Sequence, residues 1–143
     1  MKRIAVVKVR GSINITHRVK DTMLMMNLTR VNHCVIIDDR ETYKGMLQKS
    51  KDYITWGEVS AETVEKMLVK RGKVEDFGKY KSAKEFAEAY MKFETEFSDI
   101  KAGPVFRLSP PKKGYEATKI QYTKKGSLGN RGDAINKLLA RMI

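Results

Sequence analysis

Thr22–Tyr53 is the stretch that decides the fold, and it reads TMLMMNLTRVNHCVIIDDRETYKGMLQKSKDY. Its first part places methionines and leucines three and four positions apart, which predicts a helix with one apolar face. Val31–Ile37 follows as a run of β-branched residues closed by two aspartates, which is typical of a strand. Tyr43–Tyr53 is a basic segment with Gly45 as a hinge, and lysines of this kind can meet phosphates. The stretch therefore predicts a packed scaffold with a basic surface.

The segments on either side extend this pattern into an α+β fold. Lys2–Arg10 is apolar on both faces when read with a period of two, which predicts a strand in the middle of a sheet. The predicted elements of the N-terminal part are a strand at 2–10, a helix at 16–28, a strand at 31–37, a helix at 42–50 and a strand at 53–56.

The C-terminal half begins with helices and ends with basic loops. Ser60 caps a helix that stops at Gly72, and Ser82 with Glu85 forms a capping-box signature. The helix that follows Ser82 carries aromatic residues at helical spacing, which we assign to the core rather than to base stacking. Further on, the sequence predicts extended pieces at 105–108 and 120–123, a flexible basic loop at 124–132 and a final amphipathic helix. We expect one domain, 1–143, with a core at 1–58, a helical segment at 59–103 and a basic module at 104–143.

Positive charge is the strongest clue in the composition. The 143 residues carry a formal net charge of +12, with +5 in residues 1–70, zero in 71–103 and +7 in 104–143. Such an uneven excess favours nucleic acid as the partner. An anionic membrane surface is disfavoured because no predicted helix pairs a lysine-rich face with an aromatic one. The single cysteine, Cys34, cannot form an internal disulfide, so we expect a cytoplasmic protein.

The candidate sites for chemistry are weak. His33 and Cys34 are adjacent metal-ligand types, but neighbours in a strand point to opposite faces, so Cys34 is assigned to the core. The acidic cluster Asp38–Glu41 fits a solvated turn better than a magnesium site. Gly129–Gly132 matches the GxxG loop of RNA-binding KH domains but lacks the helix that should precede it. The sequence predicts no catalytic residue, no metal site and no cofactor.

Several motifs point to one family. The N-terminal half contains Gly11 with Asn14, Asn27-Leu28, Val31-Asn32-His33-Cys34 and Tyr43-Lys44-Gly45-Met46 with Lys49, and Ser60 and the helix after it follow. The C-terminal half contains Arg107-Leu108-Ser109-Pro110-Pro111-Lys112-Lys113-Gly114 and Gly126-Ser127-Leu128-Gly129. Together these motifs resemble the L-thirty family of large-subunit ribosomal proteins, in its longer archaeal form. Lys44 stands where members of that family commonly have arginine, which keeps the charge but removes a bidentate fork.

The resemblance implies both a fold and a function. The implied fold is a ferredoxin-like β-α-β-α-β core, with a three-stranded antiparallel sheet in the order 3-1-2 and helices on one face. The implied function is that of a structural constituent of the large ribosomal subunit, with ribosomal RNA and neighbouring ribosomal proteins as partners and no small-molecule substrate. Charge, loop position and the matched motifs together predict rRNA contacts at Arg10, Ser12, Asn14, Tyr43, Lys44, Lys49, Lys112, Lys113, Lys124, Lys125 and Arg131.

Two other function classes stay open at this point. Ferredoxin-like domains also serve as small ligand-binding or regulatory modules, although the excess of positive charge argues against that class here. An RNA-processing enzyme is disfavoured because the sequence offers no acid–base set.

Overall fold

A computed structural model describes residues 2–11, 13–72, 80–100 and 105–143 of the chain. Five α-helices and six strands lie within these ranges, which confirms the predicted α+β class. The elements are, in chain order, β1 (Arg3–Lys8), α1 (His17–Met25), β2 (His33–Asp38), α2 (Glu41–Lys49), β3 (Ile54–Glu58), α3 (Ala61–Arg71), α4 (Ala83–Met91), β4 (Val105–Arg107), β5 (Ala117–Gln121), β6 (Gly126–Asn130) and α5 (Ala134–Met142). Short 3₁₀ helices occupy Phe97–Ile100 and Tyr122–Lys124.

Strand β1 lies in the interior of the sheet, as its two apolar faces predict. The strand order is β4-β2-β1-β3-β6-β5. Ile4 of β1 pairs with Ile37 of β2 on one side and with Glu58 of β3 on the other, and both pairings are antiparallel. All six residues of β1 are buried.

The expected three-stranded antiparallel sheet is wrong. Strands β3, β1 and β2 do lie side by side, but they form the middle of a six-stranded mixed sheet. Strand β4 adds to β2 in antiparallel fashion, whereas β6 runs parallel to β3 and β5 runs parallel to β6. The expected flexible loop at 124–132 is also wrong, because 126–130 forms strand β6. The hydroxyl of Thr55 donates to the carbonyl of Gly129 at 2.9 Å and helps hold this strand to β3.

The sheet is covered on both faces, whereas the resemblance implied helices on one face alone. Helices α1 and α2 pack over the face that carries Ile4 and Val6 of β1. Helices α3, α4 and α5 pack over the face that carries Ala5 and Val7. Of the aromatic residues assigned to the core, Phe93 is only half-buried and lies outside this second layer, whereas the rings of Tyr90 and Phe97 stack within it with their centroids 4.2 Å apart. The assignment of Phe86, Tyr90 and Phe97 to the core is therefore confirmed.

The predicted helix caps are also present. The hydroxyl of Ser60 accepts a hydrogen bond from the backbone N–H of Thr63, and that of Ser82 accepts one from the N–H of Glu85. The Glu85 carboxylate in turn accepts the N–H of Lys81, one residue earlier than a standard capping box requires. Both caps fix the start of a helix that covers the sheet.

The strand directions give the sheet two chemically different ends. Strands β1 and β4 finish at one end, where β2, β3, β5 and β6 begin; we name it the Lys8 end after the last residue of β1. The opposite end, where β1 begins and β2, β3 and β6 finish, is named the Arg3 end. The β1–α1, α1–β2, α2–β3 and β4–β5 connections therefore lie at the Lys8 end, together with the turn that precedes β6.

Arg3 connects the N-terminal strand to the helical segment. Its side chain is only 2% exposed, and its guanidinium lies 2.6 Å from the carboxylate of Asp38 and 3.0 Å from that of Glu96. It also donates to the backbone carbonyl of Tyr90 at 3.1 Å. The rings of Tyr90 and Phe93 lie 3.8 and 4.0 Å from the guanidinium carbon, so Arg3 contacts both rings.

Candidate nucleic-acid interface

Exposed basic side chains gather at the Lys8 end. The β1–α1 connection contributes Arg10, which is half-buried, and the other connections contribute exposed side chains. These are Arg30 before β2, Lys49 and Lys51 before β3, Lys112 and Lys113 between β4 and β5, and Lys124 and Lys125 before β6. Because these connections come from distant parts of the sequence, the fold converts two separate basic regions of the chain into one basic surface.

The Arg3 end has a different electrostatic character, because its basic groups are matched by carboxylates. Asp38 contacts Arg40 at 3.0 Å in addition to Arg3, and Glu58 contacts Lys2 at 2.8 Å. These described basic groups of the Arg3 end are therefore neutralised within the protein.

Arg10 is held in place by its neighbours at the Lys8 end. Its guanidinium donates to the backbone carbonyl of Asp52 at 3.3 Å and lies 5.1 Å from the centre of the Tyr53 ring. Asn14 is exposed and adopts a left-handed backbone conformation with φ of 59°, which asparagine tolerates better than most residues. Ser12 lies outside the residues that the structure describes.

The loop that carries Lys112 and Lys113 is anchored at several points. The guanidinium of Arg141 donates to the carbonyls of Lys112 and Gly114, each at 3.3 Å. The N–H of Lys112 donates back to the carbonyl of Arg141 at 3.1 Å. Tyr115, at the end of the loop, donates its hydroxyl to the side-chain oxygen of Asn32 at 2.6 Å. The two lysines therefore project from a fixed backbone, which lowers the entropy cost of holding them against a ligand.

Tyr43 and Lys44 lie away from this surface, in the first turn of α2 at the Arg3 end. The ammonium of Lys44 contacts Glu41 at 3.3 Å and Asp39 at 3.5 Å. A hydrogen bond and charge attraction from Glu41, and attraction from Asp39, raise the pKa of Lys44. The structure thus separates these two residues from the other predicted RNA contacts.

The side chain of Arg131 makes hydrogen bonds within the protein. Its guanidinium donates to the hydroxyl of Thr55 and to the carbonyl of Ser127, both at 2.9 Å. It also lies 4.9 Å from the centre of the Tyr122 ring. Burial lowers the pKa of Arg131, which nevertheless stays charged as arginines do. The position between two glycines looked like an exposed loop, and only the pairing of β6 with β3 shows where the side chain goes.

Sequence reasoning also missed four basic groups near the start of β2: Lys8, Arg30, His33 and Arg107. Lys8 is 1% exposed, and its ammonium lies 3.5 Å from the carbonyl oxygen of Leu28 and 3.3 Å from that of Thr29. The positive charge of Lys8 therefore sits beside the carbonyls that follow α1. No signal in the sequence brings these four groups together, because their proximity depends on strand register.

Other kinds of site find little support in the described part of the chain. Within it, no group of three His, Cys, Asp or Glu side chains could hold a metal ion. No helix in the same ranges is long and apolar enough to cross a membrane. Cys34 is fully buried, and burial raises the pKa of its thiol to about 12, as fits a core residue.

Comparisons with known protein sequences identify the family of the chain. Residues 4–54 match the family described as ribosomal protein L30p/L7e. The chain is 50% identical to large ribosomal subunit protein uL30 of Methanopyrus kandleri, over 94% of this chain and 99% of that protein. It is 43% identical to the protein of the same name from Methanosphaera stadtmanae, over 97% and 99% of the two chains. It is 40% identical to the protein of the same name from Methanobrevibacter smithii, over 96% of this chain and 98% of that protein. Since relatives of this similarity align over nearly their whole length, the chain belongs to the ribosomal protein L30p/L7e family.

Proposed function

We propose that this chain is a structural constituent of the large ribosomal subunit, located in the cytoplasm within the ribosome, and that it binds ribosomal RNA through the Lys8 end. The observation that carries the RNA-binding surface is the collection of exposed basic side chains at one end of the sheet, while carboxylates match the basic groups at the other. The relatives are named as large ribosomal subunit proteins, and a role in assembly and support rather than catalysis follows from that name.

The proposed mechanism is charge neutralisation by a rigid carrier. Folded RNA is recognised mainly through its shape, its phosphates and its 2′-hydroxyls, which lysine, arginine and asparagine side chains can contact. Each phosphate neutralised releases condensed counterions, and that release favours binding. Neighbouring ribosomal proteins are the other expected partners, and no small-molecule substrate takes part.

The contacts that we propose are those at the Lys8 end: Arg10, Asn14, Lys49, Lys112, Lys113, Lys124 and Lys125. The contacts of Ser12, Tyr43 and Lys44 with RNA stay predictions. For Arg131 we favour a supporting role, because its guanidinium already has two hydrogen-bond acceptors within the protein.

We further propose that β1–β3 with α1 and α2 form a ferredoxin-like core and that the whole chain is one domain. The antiparallel neighbours β3, β1 and β2 support the first point. The shared second layer supports the other, because α3–α5 bury side chains against β1 and β2 rather than among themselves alone. Arg3 adds a polar connection between the strands and the helical segment.

The test is RNA binding as a function of salt. The variant replaces Lys112, Lys113, Lys124 and Lys125 with glutamine. The matched control replaces four other exposed lysines, which lie on α3, α4 and α5 or, for the third, directly after α4: Lys66, Lys84, Lys92 and Lys137. Both variants lose four positive charges. We expect the first to bind large-subunit rRNA more weakly, with a salt slope reduced by up to ~0.9 for each lost phosphate contact. The control should keep most of the wild-type slope.

Equal slopes in the two variants would contradict the proposed surface. Sedimentation of the full chain with large subunits through moderate salt tests the broader function. If the chain sediments only as free protein, the regulatory-module alternative becomes the better reading.

A further inference from the structure

Three basic side chains form a row across neighbouring strands at the Lys8 end. Val7 of β1 pairs with Cys34 of β2, which makes Lys8 and His33 the next residues toward the Lys8 end, and the backbone N–H of Asn32 donates to the carbonyl of Lys8 at 2.8 Å. His33 then pairs with Arg107 of β4. The row therefore runs Lys8–His33–Arg107 over three adjacent strands.

The three side chains lie on the same face of the sheet. Side chains alternate along a strand, and Val6 and Val35 belong to the layer under α1 and α2. Lys8 and His33, each two residues from one of these valines, face that layer too. Phe106 belongs to the opposite layer, so Arg107 faces the same way as His33. Directly opposite residues of an antiparallel pair have Cβ atoms roughly 4.5–5.5 Å apart, which is close enough for two side chains to share one small anion.

Two arginines at this site, Arg107 and Arg30, lack compensating carboxylates among the described residues. Neither Arg107 nor Arg30, in the loop before β2, forms an ion pair with any residue that the structure describes. The Nδ1 atom of His33 is buried and has no hydrogen-bond partner in the same ranges. Like charges that face each other across a sheet are destabilising, and Arg3 at the other end shows that this fold elsewhere pairs a buried cation with carboxylates.

We infer that His33, Arg107 and Arg30 bind one phosphodiester group of the RNA backbone, with Lys8 adding positive charge from beneath. The ligand class rests on the proposed function, because it assumes that RNA reaches the Lys8 end. Arg107 lies directly opposite His33, and the backbone of Arg30 accepts the N–H of His33 at 3.3 Å, so two arginines flank the imidazole. Arginine forks match phosphate oxygens in bidentate fashion. Lys8 is too deeply buried to contact the RNA itself, so it attracts the phosphate only through the electric field of its positive charge.

A bound anion should change the protonation of His33. Burial is the largest cause of the lowered pKa of His33, and the nearby charges of Arg107, Arg30 and Lys8 lower it further. Burial also lowers the pKa of Lys8, with a smaller effect from the charge of Lys20 on α1. An anion held between these groups offsets their repulsion and favours the imidazolium, so the pKa of His33 should rise on binding.

The first experiment follows the imidazole resonances of the whole protein by NMR between about pH 5 and 8, in sulfate and in chloride at equal ionic strength. Sulfate is a tetrahedral anion whose charge is constant over this range. His17, exposed on α1, is the only other histidine and serves as the internal reference. We expect a higher His33 pKa in sulfate, a smaller change at His17, and loss of most of the His33 response in R107Q. An equal His33 pKa in the two salts would overturn the inference.

The second experiment separates this inference from the proposed function. R107Q and R30Q should each bind large-subunit rRNA more weakly and with a lower salt slope, by up to ~0.9 for one lost phosphate contact, whereas K137Q on α5 should not. R107K, which keeps the charge but loses the fork, should keep the slope and lose part of the affinity. If wild type binds rRNA and R107Q and R30Q bind like wild type, the inference fails and the proposed function stands. If wild type does not bind rRNA, the proposed function fails, and the inferred RNA ligand fails with it whatever the sulfate result.

Discussion

Arg3→Ala should be the most destabilising charge deletion at the Arg3 end. Removing one partner of a buried ion pair typically costs about 3–5 kcal/mol, because the remaining charge is left without compensation. Two features place the expected loss at the lower limit of that range. Asp38 keeps Arg40 at 3.0 Å, and Glu96 is 57% exposed, so water can solvate it when Arg3 is gone.

The expected loss is therefore about 3 kcal/mol, a large part of the ~5–15 kcal/mol that stabilises a typical domain. Urea unfolding measures it directly. With a denaturant dependence of about 1–3 kcal/mol per molar, the urea midpoint should fall by roughly 1–3 M. Lys2→Ala is the matched control, because the Lys2–Glu58 pair is as short but exposed on both sides, and its midpoint should hardly move.

A companion variant distinguishes charge from packing. Arg3→Met keeps much of the contact with the Tyr90 and Phe93 rings but leaves Asp38 without its nearest cation. Adding Asp38→Leu should recover part of the loss, since replacing both members of a buried pair by apolar groups is often neutral. If Arg3→Ala unfolds at the same urea concentration as Lys2→Ala, the reasoning from burial is refuted.

Two further predictions concern Cys34 and His33, whose pKa values are shifted by burial. The Cys34 thiol should resist a water-soluble disulfide reagent in the folded protein and react at once in urea, because it is fully buried and burial raises its pKa to about 12. The contribution of His33 to the free energy of unfolding should be fully present above pH ~6.5, the ordinary pKa of histidine, and should be lost as the pH falls below that value. The reason is that the pKa of His33 is lowered in the folded protein, so the unfolded chain binds the proton first. Urea midpoints near pH 7.5 and 5.5 should show this fall in wild type and in His17→Gln, and a smaller fall in His33→Gln.

The parts of the fold that local sequence specifies were predictable. β1 is apolar on both of its faces, and that pattern alone requires burial on two sides, so its place inside the sheet followed without a structure. The caps at Ser60 and Ser82 act within four residues, and they fixed the starts of α3 and α4. The aromatic residues of α4 were assigned correctly because a helical period is a strong signal of a buried face.

The parts that depend on contacts between distant residues were not predictable. Strand β6 contains two glycines and a serine, and it is a strand because β3 and β5 flank it, not because its residues favour that conformation. The hydrogen bond from the guanidinium of Arg131 to the hydroxyl of Thr55 joins residues far apart in the chain, and it depends on the pairing of β6 with β3. The proximity of His33 and Arg107 could not be predicted for the same reason, because it depends on the register of β2 and β4.

The two ends of the sheet solve the same electrostatic problem in opposite ways. At the Arg3 end the protein supplies its own carboxylates, so the cation there contributes to folding and is closed to an external anion. At the Lys8 end Arg30 and Arg107 have no described carboxylate partner, and burial together with their charges lowers the pKa of His33, which an external anion would offset. RNA binding and folding stability should therefore depend on different residues. Substituting Arg107 should weaken RNA binding with no loss of stability, whereas substituting Arg3 should lower stability and leave the salt slope of the folded protein unchanged.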